Sequence, residues 1–205
     1  MNSINLLELI PKCHEAAKSK GFWDTLPDGG QMMMLTIGEL GEAQEAHRKG
    51  RVANWKRYEF LRDQHIDNPK SDKDFFVPVD FADYIKDSVG DEIADAYIRL
   101  CDFVQGYDGP VVDIVKTVEY ARKQPEYVDD LPANFGAALL SITSALVAMH
   151  EAIEERQVEE SAAMAAMAFH QMELLAQREG IDLATHIDLK LRYNATRPRL
   201  HAKAY

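Results

Sequence analysis

The sequence predicts an all-α protein, a bundle of helices. Three observations carry this. Apolar residues recur at helical spacing, as in Val89, Ile93, Ala96, Tyr97, Leu100 and Val104. Helix ends are marked by capping and stopping residues, such as Asp28 with Gly50 and Asp182 with Pro198. No segment reads convincingly as a strand, and there is no internal repeat or low-complexity tract.

The elements follow in chain order. Pro11 begins or kinks a first helix that ends near Gly21. A second runs over about 30–49, capped by Asp28 and stopped by Gly50. Residues 51–79 keep no steady period and read as a long, partly ordered insertion, with one short helix near 55–64. A third helix covers about 81–105 and stops at Gly106. Asp108-Gly109-Pro110 is a turn that opens a fourth, with Pro110 at its first position and Pro125 at its close. Pro132 opens a long helix to about 156, another spans 158–179, and Gly180 stops it. Asp182 caps the last, over 183–196.

Composition narrows the function classes. Of 205 residues, 46% are hydrophobic and 28% charged, the balance of an ordinary soluble domain. The net charge of −11 argues against a broad nucleic-acid surface, which needs excess Lys and Arg. Cys13 and Cys101 fall in apolar helical patterns and read as reduced core residues of a cytoplasmic protein. No secretory signal is evident, and the most apolar stretch, 135–149, is shorter than the ~20 residues that span a bilayer. A buried helix and no membrane association are expected there.

The chemistry is carried by two acidic pairs, Glu39 with Glu42 and Glu92 with Asp95. Spacing of three places each pair on one helix face. Acid-x-x-acid pairs are common in a chain with 34 acids, and about six are expected by chance. These two differ in their surroundings. Glu39 and Glu42 share a stripe with Met32, Leu35, Ala43 and Ala46 that should face the interior, where an uncompensated acid costs several kcal/mol. Gly38 and Gly41 flank Glu39 and would admit a close helix or ligand. Glu92 and Asp95 border the apolar stripe of the third predicted helix, where they can meet the first pair. Four such acids make the hard oxygen environment that Mg²⁺ or Mn²⁺ prefers. The last helix carries a complement: His186, Lys190, Tyr193, Asn194 and Arg197 share one face, and Leu183, Ile187 and Leu191 the other. Met32, Met33 and Met34 read as core filling, and Trp55 as an anchor of the insertion.

The segments IGELGEAQEA at 37–46 and KDSVGDEIADAYIRL at 86–100 resemble the ExxE and ExxD helices of the MazG-like, all-α nucleoside triphosphate pyrophosphohydrolases. The tail HIDLKLRYNATRPRLHAKAY at 186–205 is similar to the closing segment of one branch of that family. The resemblance implies a single MazG-like helical domain over 1–205 that cleaves the α–β bond of a nucleoside triphosphate with Mg²⁺, or Mn²⁺ in its place. It makes Glu39, Glu42, Glu92 and Asp95 the metal ligands, one of which also orients or deprotonates the attacking water. It makes Lys190, Asn194 and Arg197 phosphate or ribose contacts and Tyr193 a base or sugar contact. Relative to the smallest members, 51–79 is an insertion and 110–156 an extra helical segment. A homodimer or homotetramer is expected, with the long apolar helices of 132–179 as its surface.

Three other classes compete, one of them a plain helical interaction protein with no metal site. A ferritin-like carboxylate protein would use Glu-x-x-His pairs, and the chain has none. A non-catalytic bundle that binds nucleotide and metal for regulation would use the same residues as the hydrolase, so the sequence leaves it open.

Overall fold

The computed structural model describes residues 4–66, 76–124 and 131–202. All regular structure in them is helical. Helix α1 spans Leu6–Ser19, α2 Gly29–Arg48, α3 Trp55–Ile66, α4 Pro78–Tyr84 and α5 Val89–Gly106. They are followed by α6 Val111–Ala121, α7 Phe135–Glu154, α8 Val158–Arg178 and α9 Leu183–Thr196, with a short turn at Arg199–Ala202.

Local chemistry sets these boundaries. Asp28 Oδ1 accepts from Gln31 N at 2.8 Å, capping α2, and Gly50 past its end takes a φ of +63° that disfavours a side chain. Asp182 caps α9 and Gly180, at φ +69°, ends α8. Pro11 lies inside α1 rather than at its start. Pro110 is the residue before α6, not its first. Asn134, not Pro132, opens α7, its Oδ1 accepting from Ala137 N at 3.1 Å. The expected closure at Pro125 lies outside the described residues.

The largest difference from expectation is at the third predicted helix, which is two helices. Asp87 takes a left-handed φ of 59°, and Ser88 then caps a new helix by accepting from Asp91 N at 3.3 Å. The break separates α4 from α5 and places Asp91 and Glu92 in the first turn of α5, where the helix dipole favours negative charge.

Helix α5 is the axis of the bundle. Its Ile93, Tyr97, Leu100 and Cys101 are fully buried, and it packs against α1, α2, α8 and α9. Helices α7 and α8 form an antiparallel hairpin across a three-residue link, and α7 also covers α2. Tyr97 donates to Glu173 at 2.6 Å, and Arg122 pairs with the same carboxylate at 2.7 Å, tying α5 and the end of α6 to α8. A smaller apolar cluster of Tyr58, Phe81, Ile85 and Leu189 binds α3 and α4 to α9. Of the predicted insertion, the short helix expected near 55–64 forms as α3, α4 begins at its end, and Trp55 packs edge-on against Tyr58 and His186.

Helix α7 is long and apolar enough to cross a membrane by length and composition. Only one face of it is buried here, by Phe135, Ala138, Ile142, Leu146 and Met149, while Leu140 and Val147 are exposed. Cys13 and Cys101 are buried thiols, as expected.

Candidate metal centre and substrate cavity

The packing of α2 on α5 brings Glu39 beside Glu92 and Asp95. One carboxylate oxygen from each lies within 4.8 Å of the others. Burial raises the pKa of Glu39, Asp95 adds to the rise, and Arg99 opposes it. Glu92 is only 4% exposed and makes no hydrogen bond or ion pair among the described residues. Burial chiefly pushes its pKa up to about 8, against the pull of Lys190 and with the repulsion of Asp91, Asp95 and Glu39. An ionised carboxylate in that position is costly unless a proton or a cation neutralises it.

Glu42 does not join this cluster. It is exposed, on the wall of the same cavity, so the inward stripe of α2 is Met33, Thr36, Glu39, Leu40, Ala43 and Ala46. Nor do Gly38 and Gly41 admit a close helix, since a Cβ on either would meet nothing within 4 Å.

Two cations of the chain already hold part of the acidic group. Lys190 of α9 is 3% exposed and donates to Asp91 Oδ2 and Asp95 Oδ2, both at 2.7 Å. Burial works against its charge, but Asp95 and Asp91 outweigh it and raise its pKa. Arg99, on the same stripe of α5, donates from Nε to Glu39 Oε1 at 2.6 Å. Asp91 itself is fully buried, and burial pushes its carboxyl up to about 6 despite Lys190.

The cluster opens on a cavity of about 740 Å³. That is within the range of small-molecule sites and large enough for a nucleotide. Its walls come from the end of α1, the 20–28 loop, α2, α5, α9 and the chain after α9. Met32, Leu35 and Ile98 give an apolar side, and Asn194, Arg197 and Arg199 a polar, basic one. The far wall is fastened twice: Lys20 Nζ donates to the carbonyls of Ala195 and Arg197 at 2.7 and 2.6 Å, and Arg199 pairs with Asp24. At the base, Asp102 accepts from Trp23 Nε1 at 2.8 Å and lies 2.8 Å from His14 Nδ1.

The predicted polar face of α9 divides. Lys190, Asn194 and Arg197 line the cavity, whereas Tyr193 does not. Its ring packs on Phe81 at 4.9 Å, on the side of α4. His186 is buried under Trp55 against Gly90, where a Cβ would run into its ring. Burial lowers its pKa to about 4. The methionines also divide: Met32 lines the cavity, Met33 is core and Met34 is exposed.

Sequence reasoning missed Asp91 and Arg99. Asp91 adjoins Glu92 but belongs to another pairing. Arg99 was legible, since 92, 95 and 99 fall on one stripe of a helix. Compared with protein-family models, with curated proteins and with solved structures, the chain finds no match in any of the three.

Proposed function

We propose that the protein is a Mg²⁺-dependent nucleoside triphosphate pyrophosphohydrolase, releasing pyrophosphate and a nucleoside monophosphate. The observation that carries this is Glu92, a buried and unpartnered carboxylate beside Glu39 and Asp95 at the wall of a nucleotide-sized cavity. The donor set fits a hard divalent cation, which takes carboxylate oxygens. Glu39, Glu92 and Asp95 would hold it, and Mn²⁺ would serve in its place. A bound ion would supply Lewis-acid polarisation of the phosphates and activation of water.

The chain's own residues do the rest. Arg197 and Asn194 face the cavity and can take phosphate or ribose oxygens. Lys190 fixes Asp95 in place from behind. Met32, Leu35 and Ile98 offer an apolar surface to a base. In the reaction a water oxygen bonds to the α-phosphorus, the α–β bridge breaks, and pyrophosphate leaves. A proton of that water passes to a carboxylate of the cluster.

A second reading is a regulatory bundle that binds nucleotide without turnover. The pairing of Arg99 with Glu39 and of Lys190 with Asp95 favours it, because both neutralise acids that a catalyst would keep for metal. Pyrophosphate release from a panel of ordinary and damaged nucleoside triphosphates, with Mg²⁺ and with chelator, separates the two. Metal-dependent release with the matching monophosphate supports the enzyme. Nucleotide binding with no release from any of the panel would sink it and leave the regulatory reading.

A further inference from the structure

We propose that Arg99 has two alternative partners: it neutralises Glu39 until a divalent cation takes that carboxylate, and then turns into the cavity to hold phosphate oxygens of the ligand. The proposal rests on the reading of the acidic cluster as a metal centre.

The geometry sets up a competition. Arg99 Nε lies 2.6 Å from Glu39 Oε1. Glu39 is one of the three acids that converge within 4.8 Å. Arg99 uses one oxygen of that carboxylate, and a cation held by the three acids would set a second positive charge beside the first, so the two compete for Glu39.

The two resident cations are not equivalent. Lys190 is held by two carboxylates and is sealed from solvent, with a side-chain exposure of 4%. Arg99 has one carboxylate partner, a side-chain exposure of 30%, and a place on the cavity wall. Lys190 is therefore a fixed part of the frame, and Arg99 is the one able to move. A planar guanidinium released toward the cavity suits phosphate oxygens, which it can bind through two parallel N–H groups. Metal entry and phosphate capture are then linked in one side chain.

This predicts effects of opposite sign from one substitution. Arg99→Met keeps the length of the side chain and removes the competing charge. By calorimetry it should bind Mn²⁺ on the order of tenfold more tightly than wild type. With Mn²⁺ saturating, it should bind inorganic triphosphate on the order of tenfold more weakly. An arginine that merely braces α5 against α2 would weaken both. Glu39→Gln gives an independent test in chelator. It removes the charge that holds Arg99 without metal, leaving only a neutral amide acceptor, so inorganic triphosphate should bind more tightly than to Glu42→Gln, which removes one charge from the same cavity and leaves the Arg99 pairing alone. Equal or weaker Mn²⁺ binding by Arg99→Met, or equal triphosphate binding by the two glutamine variants, overturns the role of Arg99 while the metal centre stands. Absence of Mn²⁺ binding by folded wild-type protein overturns the metal centre and this role together.

Discussion

Lys190 Nζ lies 2.7 Å from Asp91 Oδ2, and both side chains are closed off from solvent. The pair joins α9 to the first turn of α5, and Asp95 accepts from the same ammonium. This fixes α9 against the helix that sets Glu92, Asp95, Arg99 and Asp102 on the cavity wall. Removing one partner of a buried pair leaves the other uncompensated, which costs about 3–5 kcal/mol. Lys190→Met is therefore expected to lower unfolding stability by that order in urea titrations. A loss below about 1 kcal/mol would mean the pair is not the junction described.

The pH dependence of stability follows from Glu92. Its carboxyl is pushed from an ordinary 4.5 to about 8, so the folded protein holds this proton more tightly than the unfolded chain. Its contribution is complete below about pH 4.5 and is lost as pH rises through about 8. Asp91 and Asp102, each raised to about 6 by burial, act with the same sign at lower pH. His186 acts oppositely, because its pKa falls to about 4; its contribution is complete above 6.5 and is lost as pH falls. Between about pH 6.5 and 8 Glu92 governs, and stability in chelator should fall by up to about 1.4 kcal/mol per pH unit, the slope of one proton. Glu92→Gln should flatten that descent. An unchanged slope in the variant would place the titrating group elsewhere.

Divalent-metal binding should show the reverse trend. A carboxyl that binds metal must give up its proton, so Mg²⁺ binding should release protons and tighten from pH 6 to pH 8. Calorimetry in buffers of different ionisation enthalpy measures the release. Binding with no proton released at pH 7 would remove Glu92 from the ligand set.

Much of this fold was readable because helices are local. The period of Val89, Ile93, Tyr97 and Leu100, and the caps at Asp28 and Asp182, act within a turn or two of themselves. The α4–α5 break was missed because its cause is one left-handed residue, Asp87, followed by the cap at Ser88, and nothing in a long helical pattern demands it. The meeting of Glu39 with Glu92 and Asp95 was foreseen from the borders of two stripes. The partners of Lys190 and the turning away of Tyr193 were not, because both depend on the rotation of α9 against α4 and α5. Glu42 shows the same gap: on a helix, spacing of three leaves it on the stripe's edge, and packing decides which side is wet.

Gly90 of α5 lies against His186 of α9. A Cβ there would enter the space of the His186 ring, which is buried and backed by Trp55. Gly90→Ala should therefore destabilise by about 1–3 kcal/mol, the usual cost of overpacking, despite the better helix propensity of alanine. Adding His186→Ala should restore part of the loss, a non-additivity visible in a double-mutant cycle. Additive effects would show that the glycine is required for another reason.

Arg197 and Tyr193 offer the sharpest contrast within α9's end. Arg197 lines the cavity, whereas Tyr193 is committed to Phe81 and the small apolar cluster outside it. If a triphosphate is the ligand, Arg197→Ala should raise its KM by about tenfold, the worth of one charge-assisted hydrogen bond, with little change in stability. Tyr193→Phe keeps the ring packing and removes only a hydroxyl that does not face the cavity, so KM should move by less than about twofold. The two are distinguished by steady-state kinetics alongside thermal denaturation of each variant. A large KM effect from Tyr193→Phe with unchanged stability would mean that the ligand reaches past α9 toward α4, and that the cavity wall at Arg197 is not where the phosphates lie.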